Sequence, residues 1–273
     1  MNFCKLAAYW FVVFVSVSVS VFWEGGNIYA SSSQKGHIED IHWSFEGPFG
    51  VFDTKQLQRG FQVYKDVCST CHGLQYVPFR ALTNKDGPNF SKETVKAFME
   101  DFSILDKEMG ENRSAKLSDY FPVPEAVGDP PDLSLMAKAR AGFHGPYGTG
   151  MNRLFRGIGG NEYIYALLTG FTEEEKVEAG TVLYGNKVFP GGYINMAPPL
   201  IEGIVEYPDG TPANVEQMAK DVVAFLMWTA EPRLIERKKA GMKVIAILVV
   251  FSVLLWLCYR NLWRPLKKND ADS

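Results

Sequence analysis

Cys68, Cys71 and His72 stand together in the run Cys-Ser-Thr-Cys-His, two thiols flanking a two-residue spacer with an imidazole directly after. Three chemistries use such a pair: a redox dithiol, half of a zinc site, and thioether attachment of a porphyrin. A thioredoxin-like dithiol requires a strand leading into the motif, whereas the residues before Cys68 have helical spacing. A zinc site requires a second ligand pair. The other two cysteines, Cys4 and Cys258, lie in apolar terminal runs and cannot supply it. Covalent haem attachment remains. Two thiols add to the two vinyl groups along one porphyrin edge, and the next imidazole reaches the iron. That imidazole needs one nitrogen free for metal and an acceptor for the other.

A low-spin electron carrier fills the sixth iron position as well, commonly with Met or His. His37, His42 and His144 are available, with Met99, Met109, Met136, Met151, Met196, Met218 and Met227. Most methionines fill cores, and Met99, Met136, Met218 and Met227 fall in stretches with helical character. Met196 differs. It sits in GGYINMAPPL, where prolines hold the chain extended and can present a thioether from outside a helix. Met151, in a Gly-rich segment, and His144, in GFHGPYG, are the alternatives. The residues themselves rank Met196 first and leave the other two open.

Two helices must position the motif. Asp53 can cap a helix through TKQLQRGFQVYKDV that places Leu57, Phe61, Tyr64 and Cys68 on one face. Gly60 lowers helix propensity there, which points to close approach of another backbone. The partner is PANVEQMAKDVVAFLMWTA, with Thr211 as N-cap, Pro212 at the first helical position and Pro232 just past the end. Val215, Met218, Val222, Phe225 and Leu226 form its apolar stripe. An early and a late helix crossing over a glycine contact is the arrangement of class I cytochromes c, which this chain resembles, and the resemblance implies a mainly α, class I cytochrome c-like haem domain.

The ends of the chain are apolar. Leu6 to Trp23, preceded by Lys5 and followed by small residues to Ala30, reads as a signal peptide over 1–30. Residues 242–260 are apolar enough to span a bilayer as an anchor in membrane lipid, with Trp256 and Tyr259 near one edge. Residues 233–241 form a basic linker, and 261–273 a cytoplasmic tail. The exported head, 31–232, holds 18 Lys and Arg against 27 Asp and Glu, a net of −9. The remainder, 233–273, holds 9 against 3, a net of +6. An acidic head excludes nucleic acid as a partner and favours a basic one. Glu173, Glu174, Glu175 and Glu178 form one candidate docking cluster; Glu100, Asp101, Asp106, Glu108 and Glu111 form another. Basic residues flank the span almost equally, so the signal peptide fixes the sidedness: head in the periplasm, tail inside.

Longer stretches carry a resemblance. RGFQVYKDVCSTCHGL, KLSDYFPVP, PPDLSLMAKARAGFHGPYGTGMNRLF, EYIYALLTGF, NMAPPL and DGTPANVEQMAKDVVAFLMWTAEP together cover most of residues 45–265. In them the chain resembles the cytochrome c1 family, the haem c subunit of the ubiquinol–cytochrome c oxidoreductase (bc1) complex. The resemblance implies one covalent haem c, with Cys68 and Cys71 at the thioether positions and His72 as proximal ligand. It implies Met196 as distal ligand in the Met-x-Pro-Pro loop, and Arg140 near a haem propionate. It also implies long loop insertions and one C-terminal transmembrane helix. The implied reaction is single-electron transfer from a Rieske iron–sulfur protein to a basic cytochrome c, beside cytochrome b, in a dimeric complex. Several bacterial relatives carry a cysteine pair between the YALLTGF segment and the Met loop, and here that stretch is short and has none. A haem enzyme with an open sixth position is the rival, and it would make Met196 dispensable.

Overall fold

Asp53 accepts the amide hydrogens of Lys55 at 2.9 Å and Gln56 at 3.5 Å, and helix α1, Thr54–Asp66, starts there as expected. The computed structural model describes residues 38–106, 110–124, 128–140, 157 and 159–269, with side chains described as far as Arg264. The expected signal peptide, His37, Glu108, Met109, His144, Met151 and the last residues of the tail lie outside the described residues. After α1 come a 3-10 turn at Cys68–Thr70, helix α2 (Lys92–Met99) and the short strands β1 (Ser103–Leu105) and β2 (Asn112–Ser114). Next are α3 (Met136–Ala139), α4 (Gly160–Thr169), and a three-stranded antiparallel sheet of β3 (Phe171–Glu178), β4 (Thr181–Asn186) and β5 (Tyr193–Ile194). Helices α5 (Val215–Ala230) and α6 (Leu234–Asn269) complete the described chain.

Helix α5 is the hub, packing on α1, α3 and α4. Its crossing with α1 is as close as Gly60 implied. A Cβ at Gly60 would overlap the carbonyl oxygen of Asp221 and come within 2.7 Å of Phe225 Cβ. Beside that contact Asp221 is fully buried, and Arg59 grips it with two hydrogen bonds, Nε at 2.9 Å and Nη2 at 3.2 Å. Gln217 adds a third donor at 2.9 Å, so the buried charge is both paired and hydrogen-bonded. Below it Phe61 contacts the rings of Phe90, Phe98, Phe121 and Phe225 at centroid distances of 5.0 to 6.2 Å. These edge and tilted contacts are the favoured aromatic geometries.

Two local readings change, and one stretch takes a form the sequence left open. Helix α5 begins at Val215 with Asn214 as its N-cap, accepting from Gln217 N at 2.8 Å. Thr211 and Pro212 therefore precede the helix. The Thr211 amide is already taken by Asp209 at 3.0 Å in the preceding turn, and Asn caps better than Thr. Secondly, the acidic run Glu173–Glu178 lies on a strand, and the cysteine-free stretch folds as a hairpin whose turn residues Ala179 and Gly180 have φ of 50° and 82°. Positive φ at both turn positions matches the twist of a two-residue hairpin. Thirdly, the stretch expected as a basic linker over 233–241 is helical from Leu234, continuous with the candidate membrane span, and docks on the head. Leu234 and Ile235 are buried, Lys238 donates to the carbonyls of Phe45 and Gly50, and Lys239 lies 3.7 Å from Asp86. Beyond it, α6 exposes its apolar residues along the candidate span.

In the first turn of α4, Glu162 is buried and accepts the Trp43 indole N–H at 2.6 Å. Burial, then the carboxylates of Glu46 and Asp40, push the Glu162 carboxyl up to about 7 from 4.5, against the lowering by its backbone bond and Trp43. Between those values the folded chain holds a proton that the unfolded chain releases. This stabilisation is complete below about pH 4.5 and is lost as pH rises through about 7. The loss amounts to something on the order of 3 kcal/mol. In Glu162→Gln the amide oxygen still accepts from Trp43, and this part of the pH dependence disappears. Thermal melts of the mature chain from acid to mildly alkaline pH check it; parallel curves for the two proteins would refute it.

Candidate functional site

Helix α1 delivers the two cysteines in one tight turn. The amides of Cys71 and His72 both reach back to the Cys68 carbonyl, at 3.1 and 2.8 Å. Ser69 Oγ donates to Lys65 O at 2.6 Å, and Tyr64 Oη donates to His72 O at 3.0 Å. The turn is thus tied to the last turns of α1. Cys68 packs against the core and Cys71 is exposed, both as free thiols. Burial, then the neighbouring Cys71, pushes the Cys68 thiol up to about 12, so in the bare polypeptide it stays neutral.

His72 Nδ1 lies 2.8 Å from the carbonyl oxygen of Pro131. A carbonyl only accepts, so the proton sits on Nδ1 and Nε2 presents its lone pair. This is the arrangement a metal-bound imidazole requires. Sequence reasoning asked for such an acceptor but did not locate it. The segment Pro131–Ser134 is fixed against the chain after the motif. Leu133 N donates to Gly73 O at 3.0 Å, Gln75 N to Asp132 Oδ2 at 2.8 Å, and Tyr76 N to Ser134 Oγ at 3.1 Å. Asp132 also accepts from Ser134 N at 2.9 Å, closing the turn. The Asp-x-Ser pattern signals the side-chain-capped turn that fixes this segment, though not which carbonyl faces His72.

Met196 stands at a bend just after β5, half-buried, with Pro198 and Pro199 following outside any helix or strand. The bend is anchored by the pairing of Tyr184 with Ile194 and by the bond from Asn186 N to Gly192 O at 2.8 Å. The segment that holds His72 also meets this loop, because a Cβ on Gly128 would stand 3.5 Å from Asn195 Nδ2. Residues 128–131 therefore touch the chain on both sides of the site. Met99 and Met218 are buried in the core, and Met136 and Met227 pack against it. His42 is an exposed side chain 3.7 Å from Glu46.

Arg140 is the remaining expected site residue. It follows α3, its backbone packs on Gly160 of α4, and its guanidinium is exposed with no ion pair to any described residue. Burial raises the Tyr163 hydroxyl, and Arg140 opposes that rise. The acidic clusters separate in character. Asp101 pairs with Lys65 at 2.8 Å and Asp106 with Arg113 at 3.3 Å. In the hairpin Glu178 pairs with Lys176 at 2.9 Å, and Glu174 accepts from Tyr193 Oη at 3.2 Å. The donor set fits a c-type haem: two free thiols, an imidazole with Nε2 unengaged, and a thioether on a loop outside the helices.

Comparison with known proteins agrees with this geometry. Residues 43–266 match the model of the Cytochrome C1 family. A cytochrome c1 of Cereibacter sphaeroides is 48% identical over 260 residues, covering 87% of this chain and 91% of its own. One from Rhodobacter capsulatus is 46% identical, covering 86% of this chain and 92% of its own. The mitochondrial cytochrome c1 haem protein of Saccharomyces cerevisiae is 40% identical, covering 81% and 71%. A free dithiol turn, an oriented histidine and a terminal apolar helix thus occur in a chain that belongs to the cytochrome c1 family.

Proposed function

We propose that Cys68 and Cys71 hold one haem c covalently, that His72 and Met196 are its axial ligands, and that Arg140 binds a propionate. Family membership makes the chain the haem c subunit of a bc1 complex, an electron-transfer component carried by a membrane anchor. The observation that carries the ligand assignment is the hydrogen bond of His72 Nδ1 to Pro131 O at 2.8 Å, which leaves Nε2 for iron. When bound, the haem supplies a one-electron iron couple, held at high potential by His/Met ligation. The chain's own residues orient the imidazole, present the thioether, and offer the Arg140 guanidinium fork to a carboxylate.

The electron donor is a Rieske iron–sulfur protein and the acceptor a basic cytochrome c, with cytochrome b as the neighbouring subunit in a dimeric complex. An acidic head suits transient electrostatic docking of the acceptor. Each candidate surface keeps exposed acids, Glu173 and Glu175 on the hairpin and Glu100 and Glu111 on the other, beside acids already paired with Lys176, Lys65 and Arg113. The head faces the periplasm. Basic residues flank the span on both sides, Arg233, Arg237, Lys238, Lys239 and Lys243 before it and Arg260, Arg264, Lys267 and Lys268 after it, so the expected signal peptide carries this assignment.

The test is the mass of the chain matured in its native compartment. The protein should carry the added mass of one haem that survives denaturation, and replacing both cysteines by serine should abolish it. Either single replacement should leave a strained, one-bridge product at much reduced yield. A bare polypeptide mass for the unaltered chain would remove the basis of this function.

A further inference from the structure

An open cleft of about 760 Å³ lies between α4 and the β3–β5 sheet, away from the Cys68–His72 turn. Glu162, Thr172 and Glu174 line it, with Glu39, Tyr165 and Tyr193. Glu162 is 1% exposed, and while Trp43 engages its Oε1, its Oε2 is buried without a hydrogen-bond partner among the described residues. Thr172 Oγ1 is buried and unpartnered in the same way. Each such group costs roughly 1–3 kcal/mol when left unmade. Two in one cleft call for a hydrogen-bonding ligand, one that donates to Glu162 once that carboxyl is ionised.

The chemistry of that ligand follows from the lining. A cation suits it, since Glu39 and Glu174, and Glu162 once ionised, line the cleft, against the ammonium of Lys187 among the described lining residues. The other charged groups nearby are Glu46 and Asp40 beside Glu162, Lys176 over the Tyr193 ring at 5.8 Å, and Lys220 over the Tyr165 ring at 5.9 Å. A small metal ion does not fit, because no group of three acidic, histidine or cysteine side chains converges among the described residues. The volume is that of an organic ligand. A guanidinium suits dispersed acceptors better than an ammonium, because it carries five donors in a plane and is weakly hydrated.

We propose that this cleft receives an arginine side chain from a partner polypeptide, its guanidinium donating to Glu162 Oε2 with Thr172 and Glu174 as further acceptors. The volume exceeds a guanidinium several-fold, so the side-chain stem and flanking backbone fill the rest. Because Glu162 then gains a cation, occupancy and the ionised carboxylate favour each other.

The experiment uses the haem-loaded full chain in detergent and three probes: acetyl-Gly-Arg-Gly amide, the same peptide with citrulline, and agmatine acetylated on its amine so that it carries only the guanidinium charge. Calorimetric or NMR titration should show saturable binding of the arginine peptide, at least about tenfold weaker binding of the neutral citrulline peptide, and weaker binding of the acetylated agmatine. Glu162→Gln, which keeps its bond from Trp43, should weaken the arginine peptide by about tenfold or more. Glu174→Gln alters only an exposed side chain and should weaken it about threefold. Equal binding of the arginine and citrulline peptides, or full affinity in both variants, overturns the proposal. Acetylated agmatine binding as tightly as the peptide would make this a small-molecule site and remove the partner polypeptide.

Discussion

Met196→Leu is expected to leave the chain folded and its haem attached, yet to open one iron position and lower the reduction potential by a few tenths of a volt. Leucine and methionine are close in volume, so the folding cost should stay below about 1.5 kcal/mol. Met196 is only half-buried, at a bend fixed by β5 and by the two prolines, which limits that cost further. What is lost is the thioether itself. The oxidised spectrum should lose its sulfur-to-iron charge-transfer band, and the reduced protein should bind carbon monoxide. Electron delivery to the acceptor should fall by about 100-fold or more, since the altered potential opposes the step. Met218→Leu is the control: that side chain is fully buried in α5, so the change should move the melting temperature a little and the spectrum not at all. An unchanged spectrum in Met196→Leu would pass the role to Met151 or His144.

The parts of this molecule legible in its sequence are those where a side chain announces its own task. Cys68, Cys71 and His72 form a motif whose spacing has one good use. Asp53 caps α1 where a short carboxylate precedes an apolar period. Gly60 stands in a helix where only a close neighbour justifies it, and the apolar run after Met242 fits a membrane. Less legible were features carried by the backbone or by competing signals. The acceptor for His72 is a main-chain carbonyl, so nothing in Pro131's side chain identifies it. The β3–β4 hairpin has Glu173 to Lys176 charged on both faces, which erases the alternation that marks a strand. Its turn, Ala179–Gly180, held only half of the usual signature. The basic stretch before the span looked like a linker because its cations suggested solvent. Lys238 and Lys239 instead find carbonyls and a carboxylate on the head, so the anchor is helical from Leu234 and grips the domain it carries.

Gly60→Ala should destabilise the head by about 3 kcal/mol, although alanine is the better helix former. Two effects oppose each other. In an exposed helix the substitution gains roughly 0.5–1 kcal/mol from propensity and from a less flexible unfolded chain. Against it stands overlap of the new methyl with the Asp221 carbonyl and a 2.7 Å approach to Phe225 Cβ. Neither neighbour can rotate away, since one is backbone and the other the first atom of a side chain packed against Phe61 and Tyr64. The helices must separate instead, and separation loosens the Arg59 fork on a carboxylate that has no exposure to water. A buried ion pair tolerates that poorly, because its desolvation is offset only by good geometry. The overlap therefore wins. The expected fall in melting temperature is roughly 6–12 °C for a domain of this size. The displacement should also reach the site, since α1 runs directly into Cys68 and Tyr64 holds the His72 carbonyl. The yield of haem-attached protein should drop along with the melting temperature, and a variant that melts at or above the parent would show that α1 and α5 do not cross at Gly60.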